Sequence, residues 1–375
     1  MTEADDARPE PRFDWFIPID GDGAHIGTQR AERPPTFAYL REVVETAERL
    51  GYHSLLIPTR FANGLFDEGA PLAETWTTAT ALAAVTSRIR FLVAVRPGFI
   101  STGLFAQMAA TLANLSGGRL DINVVPGGIQ GDLERLGERS GHDERYERAE
   151  EFIEACRLLW RAPEPVRYEG RVVRLDGALV SPGPERAPRW YLGGASERAL
   201  ALAGRQGDQL LMWIQPRDDI AALMARAGAQ FAAAGRRPEF GLRTHLVVRD
   251  SEAAAWAEAD ELLSRADPIV LAQRQAAFAG TAMVGQRAQL RASEQHRISP
   301  HLWNGISTVR VNLGTAIVGT PRQVVDELLG YWRLGIDEFI LSGYPHVEEC
   351  ERVAADVVPA LRAAIDAERS SPAGR

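Results

Sequence analysis

Hydrophobic residues along this chain gather in two alternating kinds of segment. The first kind is short and almost continuously apolar: Phe13 to Pro18, His53 to Pro58, Ile89 to Val95, Leu120 to Val125, Trp190 to Leu192, Gln209 to Trp213, Phe240 to Val248 and Asp337 to Leu341. Rich in β-branched and aromatic residues, these predict strands covered on both faces. The second kind is longer and repeats at helical spacing. Between Thr36 and Leu50, for example, Leu40, Val43, Val44, Ala47 and Leu50 fall on one side. Similar segments run over 76–85, 105–115, 144–160, 196–205, 218–234, 251–265, 321–334 and 347–364, with Ser196 and Ser251 placed as N-caps. Val166 to Leu175 departs from the alternation and reads as a hairpin around Glu169 and Gly170.

Eight strands alternating with helices, with no linker between them, predict parallel pairing through right-handed crossovers. Eight such units close into a (β/α)8 TIM barrel, here with a hairpin and a lid as insertions. The expected organisation is a single domain over 13–366, a disordered N-terminal arm over 1–12 and a frayed tail over 367–375. Residues from 267 to about 308 break the periodicity and suggest the lid. The competing open, doubly wound sheet would want a glycine-rich dinucleotide loop after the first strand. Gly21-Asp22-Gly23 does not continue in that pattern.

Composition narrows the function classes. The net charge is −8, with no basic stripe to neutralise a phosphate backbone, so nucleic acid is not an expected partner. No apolar run reaches the roughly 18 residues that cross a bilayer, and Met1 to Arg12 shows no secretory pattern. The only cysteines are Cys156, on a helical pattern where it reads as a core residue, and Cys350. A reducing, cytoplasmic setting is the expectation. His245 and His346 lack a third nearby His or Cys, so no metal site is expected.

Barrel enzymes place their chemistry where strands end, and the unusual residues of this chain fall there. Asp20 and Asp22 follow the first strand, Thr59 and Arg60 the second, Arg96-Pro97-Gly98 the third; Asn123 ends the fourth. Gly193 to Ser196 follows the fifth strand and opens a helix, a setting for a phosphate or for a plain tight turn. Trp213 ends the sixth, offering a stacking face or ordinary core packing. Within the seventh, Arg243 and His245 share a face by alternation. Such a pair on a buried strand requires nearby carboxylates or an anionic guest. Ser342 to His346, with Tyr344, follows the eighth and suits a pocket wall.

Taken in order, these segments resemble a known family. Phe16 to Gly23, Ile26 to Thr28, Leu56 to Thr59, Val95 to Gly98, Met108 to Leu112, Ser116 to Leu120, Ile122 to Val125 and Glu144 to Tyr146 follow its pattern. So do Gly193 to Ser196, Leu302-Trp303, Gly314 to Gly319 and Ser342 to His346. The chain resembles the bacterial luciferase-like flavin-dependent monooxygenases, and within them the alkanesulfonate monooxygenase group, from about Phe13 to Ala364.

The resemblance implies a two-component system. A separate NAD(P)H-dependent flavin reductase supplies reduced FMN, O2 is the co-substrate, and the C–S bond of a small anionic organosulfonate is cleaved to sulfite and an aldehyde. Relatives assemble as homodimers or homotetramers. By matching motif, Arg243, His245, Arg310, Tyr344 and His346 resemble the catalytic set. Trp213, with Arg243, His245 and Arg310, resembles the substrate contacts, and Arg310 is the arginine associated with the lid. Asn123, Tyr146, Gly194, Ala195, Ser196 and Tyr344 resemble the FMN contacts. Two departures stand out: Ile19-Asp20 replaces the usual Thr-His, and the loop over 60–72, with Arg60, carries no cysteine. Asp20 and Arg60 are therefore expected on the substrate side, where they would suit a hydroxylated substrate such as a sulfosugar. A non-sulfonate substrate, or a deazaflavin in place of FMN, remains open from the sequence.

Overall fold

The computed structural model describes residues 10–128, 130–278 and 296–370. Eight parallel strands form the closed wall: β1 (Arg12–Phe16), β2 (Ser54–Ile57), β3 (Arg90–Val95), β4 (Leu120–Val124), β7 (Trp190–Gly193), β8 (Gln209–Trp213), β9 (Phe240–Val248) and β12 (Glu338–Ser342). Each pairs with its neighbour in that order, and β12 closes the ring onto β1. All eight coincide with the apolar runs in the sequence. β1 begins at Arg12, one residue before the predicted boundary, because the Arg12 amide donates to the Asp337 carbonyl. The antiparallel hairpin β5 (Val166–Glu169) and β6 (Arg174–Ala178) stands outside the ring, as its sequence predicts.

Two strands were not predicted. β10 (Leu302–Trp303) and β11 (Ala316–Gly319) are antiparallel to each other, and β11 lies parallel to β9. The nine-residue β9 makes room for them. Up to Arg243 its outer neighbour is β8, and from His245 onward that place is taken by β11. On its other side the strand stays paired with β12 as far as His245.

Helices α1 (Phe37–Arg49), α2 (Thr75–Ala84), α3 (Thr102–Leu115), α5 (His142–Arg161), α6 (Glu197–Gln206), α7 (Arg217–Ala233) and α8 (Glu252–Leu263) follow their predicted segments, with α4 (Gln130–Arg135) added before α5. Part of the predicted lid is ordered as helix α9 (Pro268–Phe278), and its residues 279–295 lie outside the described residues. The helix Val358–Ser370 continues past the predicted start of the frayed tail, and 371–375 lie outside the description, as do residues 1–9 of the predicted arm. Both cysteines are buried in the core. None of the described helices is long and apolar enough to cross a membrane.

Alternation along the strands builds two cores. Outward side chains such as Trp15, Leu55, Val93 and Ile122 pack against the helices. Phe16, Leu56, Leu92, Tyr191, Leu211 and Ile340 form a smaller cluster inside the ring. Below this layer the floor is polar. Arg12 donates to Glu338 at 2.8 Å and to Gln209 at 2.8 Å, and the Tyr191 hydroxyl donates to Glu338 at 3.0 Å. Burial, reinforced by Glu338, drives the Asp14 carboxyl well above the ordinary range, so the floor carries a neutral acid beside an ionised one.

Two connections matter for the mouth. In the segment Ser116 to Leu120, the Arg119 guanidinium donates to the carbonyls of Ser116, Ile89, Ala83 and Thr86 and to the Thr86 hydroxyl, at 2.8 to 3.0 Å. This arginine sews the end of α2 to the starts of β3 and β4, a structural task. After β1, Asp22 accepts from the amides of Gly23 and His346 at 2.8 and 2.6 Å and from the Tyr39 hydroxyl. It thereby fixes the turn after β12 against α1.

Arg119→Met should lower stability by about 2–4 kcal/mol, because several buried carbonyls lose their donor together. Urea unfolding measures this. Burial lifts Asp22 to about 6, so its contribution to stability is complete below the unfolded carboxyl's pKa and is lost as pH rises through about 6. Urea midpoints compared between about pH 4 and about pH 7 should lose that part of their slope in Asp22→Asn.

Candidate active site

A cavity of about 310 Å³ opens at the C-terminal ends of the strands, within the size range of small-molecule sites. Leu56 and Leu211 form its apolar base, and Trp213 stands on its wall beside Arg243, its register partner on β9. Asn123, at the end of β4, lines this space and has a buried Oδ1 without a hydrogen-bond partner among the described residues. Arg96, from the end of β3, lines it too; its Nη1 donates to the Gly127 carbonyl at 2.6 Å, while its Nε has no partner among the described residues. Burial, then the nearby Arg60, pulls the Arg96 guanidinium down to about 10.

At one end of the cavity, Gly193 to Ser196 leads into α6, whose N-cap Ser196 accepts from the Ala199 amide at 3.2 Å. Gly194 takes φ +131°, and a Cβ there would meet the Ala199 side chain at 2.7 Å, so only glycine gives this turn. Ala195 lines the same end, Arg145 approaches it, and the Tyr146 hydroxyl lies beside the turn. A helix N-terminus flanked by an arginine and two hydroxyls is built to receive an anion.

Beneath the cavity lies a second, fully buried group organised on the ring of Phe16. The Arg243 Cζ sits 4.0 Å from its centroid and the Arg310 Cζ 5.3 Å. The Nε and Nη2 atoms of both arginines have no hydrogen-bond partner among the described residues. Arg310 Nη1 donates to the Tyr344 hydroxyl at 2.6 Å. Tyr344 in turn stacks on His245 at 5.5 Å and meets the edge of His346 at 5.3 Å, and His346 lies nearly parallel to Phe16. Burial lowers the affinity of Arg243 for its proton, and Arg310 adds to the effect by repulsion.

His245 is neutral. Burial is the main cause and the two arginines add to it. Its Nδ1 takes the Ser342 hydroxyl at 2.8 Å and its Nε2 faces the Leu313 carbonyl at 3.3 Å, which assigns the proton to Nε2. Burial likewise keeps the Tyr344 phenol protonated and His346 neutral.

Of the residues singled out in the sequence, Asn123, Tyr146, Gly194, Ala195, Ser196, Trp213 and Arg243 line the main cavity. Arg310, Tyr344, His245 and His346 gather one layer deeper. Arg243 lines the main cavity, while His245, two residues on, is not part of its lining and packs against Tyr344. Asp20 and Arg60 turn on each other, Nε to Oδ2 at 2.8 Å, with both side chains buried, and Arg60 lines a small pocket that shares Arg96 and Asn312 with the main cavity. Phe16 and Arg96 were not assigned a role in the sequence. Arg96 had a signal, an arginine ending a buried strand just before Pro97-Gly98.

Comparison with known proteins adds to this geometry. The family profile described as luciferase-like monooxygenase matches residues 12–338. Among solved structures, the EDTA monooxygenase from Chelativorans sp. BNC1 superposes with a TM-score of 0.76 at 21% identity, over 95% of this chain and 94% of that one. A long-chain alkane monooxygenase gives 0.76 at 18% identity, over 96% and 92%. An F420-dependent secondary alcohol dehydrogenase gives 0.66 at 17% identity, over 94% and 99%. At such identities the structural likeness speaks for the fold alone. The profile spans most of the chain, and on that ground this eight-stranded barrel with its cationic mouth belongs to the luciferase-like monooxygenase family.

Proposed function

We propose that the protein is a two-component monooxygenase that uses reduced FMN and O2 to cleave the C–S bond of a small organosulfonate. The observation that carries this reading is the pair Arg243 and Arg310, two buried guanidinium groups on one aromatic ring with N–H groups left unpaired. Unpaired buried cations are costly, and a sulfonate, anionic at every working pH, offers several oxygens to their planar forks.

The residues present fit a flavin mononucleotide. The Gly194 to Ser196 turn, with Arg145 and Tyr146, would hold its phosphate, and the orphaned Asn123 Oδ1 would accept from its ring edge. When bound, reduced flavin supplies the two electrons by which one oxygen atom of O2 becomes water and the other enters the substrate. The chain's own part is binding and orientation. Trp213 closes one side of the cavity, and Arg243 and Arg310 draw the sulfonate toward the Phe16 layer. Tyr344, its hydroxyl already receiving a bond from Arg310, keeps its own proton to donate. Neutral His245 holds the Tyr344 ring in place. With oxygen inserted at the carbon beside sulfur, the C–S bond breaks, its electron pair leaves with sulfur as sulfite, and the carbon becomes an aldehyde.

A carboxylate would meet the same forks, and the EDTA monooxygenase bears the name of a polycarboxylate. A deazaflavin is the rival cofactor, since an F420-dependent enzyme shares the fold. A homodimer or homotetramer suits α2 and α3, which carry no charged residue and leave Leu104 and Leu115 exposed.

With a flavin reductase, NADPH and O2, the protein should release sulfite from at least one member of a panel of alkanesulfonates, a sulfosugar and a polycarboxylate. Absence of sulfite from every sulfonate, or binding of the deazaflavin alone in parallel titrations, would sink the proposal. Arg310→Ala should lower turnover at least about a hundredfold while FMN binding, followed by fluorescence quenching, stays within about twofold.

A further inference from the structure

Arg310 sits on a stretch without regular pairing, between the short 3-10 turn Gly305–Thr308 and β11. A long cationic side chain on such a stretch would ordinarily sample many directions. Yet the carbonyls on both sides of it are held by other buried arginines. Arg274, on α9, donates from Nε to the Val309 carbonyl at 3.0 Å. Arg60, after β2, donates from Nη2 to the Val311 carbonyl at 3.2 Å. We infer that Arg274 and the Asp20–Arg60 pair are positioning residues whose task is to aim Arg310 at the anion.

The anchors of this clamp are themselves tied down. Arg274, only 1% exposed, sends Nη2 to the carbonyls of Asn63, at 3.1 Å, and Phe66. Asn63 donates to the Asp20 carbonyl at 2.7 Å and accepts from the amides of Leu65 and Phe66 at 3.0 and 2.8 Å. The Val311 amide donates to the Gly64 carbonyl at 2.9 Å. Gly64 is required there, because a Cβ would lie 2.3 Å from the Arg60 guanidinium. The 60–72 loop is therefore the common block into which both arginines and the Arg310 stretch are sewn.

Burial makes this arrangement expensive. It works against the charge of both Arg60 and Arg274, and for Arg274 the next cause is Arg60 itself. Apolar side chains of similar volume would fill the same space at lower cost. What they could not do is grip a carbonyl on each side of Arg310, and a misplacement of about 1 Å at a reacting centre costs about a hundredfold in rate. The departure at Asp20 then has a reason: it is the counter-charge that keeps Arg60 in the clamp.

Two measurements on the full chain test the inference. Amide hydrogen exchange should speed up about tenfold over residues 305–315 in Arg274→Met and stay unchanged over β1 to β4. Arg274→Lys, which keeps the charge and one donor, should show a smaller change. This arm needs no substrate. The kinetic arm rests on the proposed function and uses the sulfonate that the panel identifies. Arg274→Met should lower kcat/KM about a hundredfold in the wild-type background but less than about twofold when Arg310 is already alanine. Unchanged exchange over 305–315, acceleration spread over the whole barrel, or an equal kinetic cost in both backgrounds overturns the clamp. Absence of any sulfonate turnover refutes the proposed function instead, and the exchange arm then decides the clamp by itself.

Discussion

Two guanidinium groups meet on one phenylalanine ring inside this barrel, and little in the structure makes sense without that encounter. Like charges so near each other, away from bulk water, repel strongly. The Phe16 ring face offsets part of the cost through its quadrupole, and Tyr344 takes one N–H of Arg310. The rest is uncompensated among the described residues, since the nearby Asp20 is committed to Arg60. Such a site holds its shape only if the surrounding fold forbids the side chains to swing out to water.

The closed ring supplies that constraint. Phe16 is fixed in the inner layer by neighbours on adjacent strands, and Arg243 is set by the pairing of β9 with β8 and β12. The excess length of β9 gives His245 a register partner on β11 as well as on β12, and its imidazole stacks on Tyr344. One strand therefore carries a cation that lines the cavity and, two residues later, an imidazole that does not. Strand alternation alone would make the two equivalent.

Much of the architecture was legible because buried parallel strands leave continuous apolar runs, and all eight were found that way. Gly194, Ala195 and Ser196 of the cavity wall were legible too, being consecutive residues that follow the fifth strand and open a helix. The missed features share a physical cause. Helix α9 carries its anchor, Arg274, where a hydrophobic residue would be expected, so no apolar stripe marks it. Asp20 and Arg60 find each other across 40 residues with no periodic signal, and each alone looks like a solvent-facing or substrate-facing charge. Arg119 belongs to a segment that marks the family, yet it sits among carbonyls far from the cavity. A motif can identify a family without touching its chemistry.

The polar floor of the ring has a consequence for traffic. Arg12, Gln209, Tyr191 and Glu338 interlock beneath the inner apolar layer, so the vessel is stoppered at its base. The cavity opens at the other end of the ring, where the strands run out into Asn123, Gly193 and Trp213. With the base shut by these hydrogen bonds, whatever enters the cavity meets the cationic rim before the apolar layer beneath.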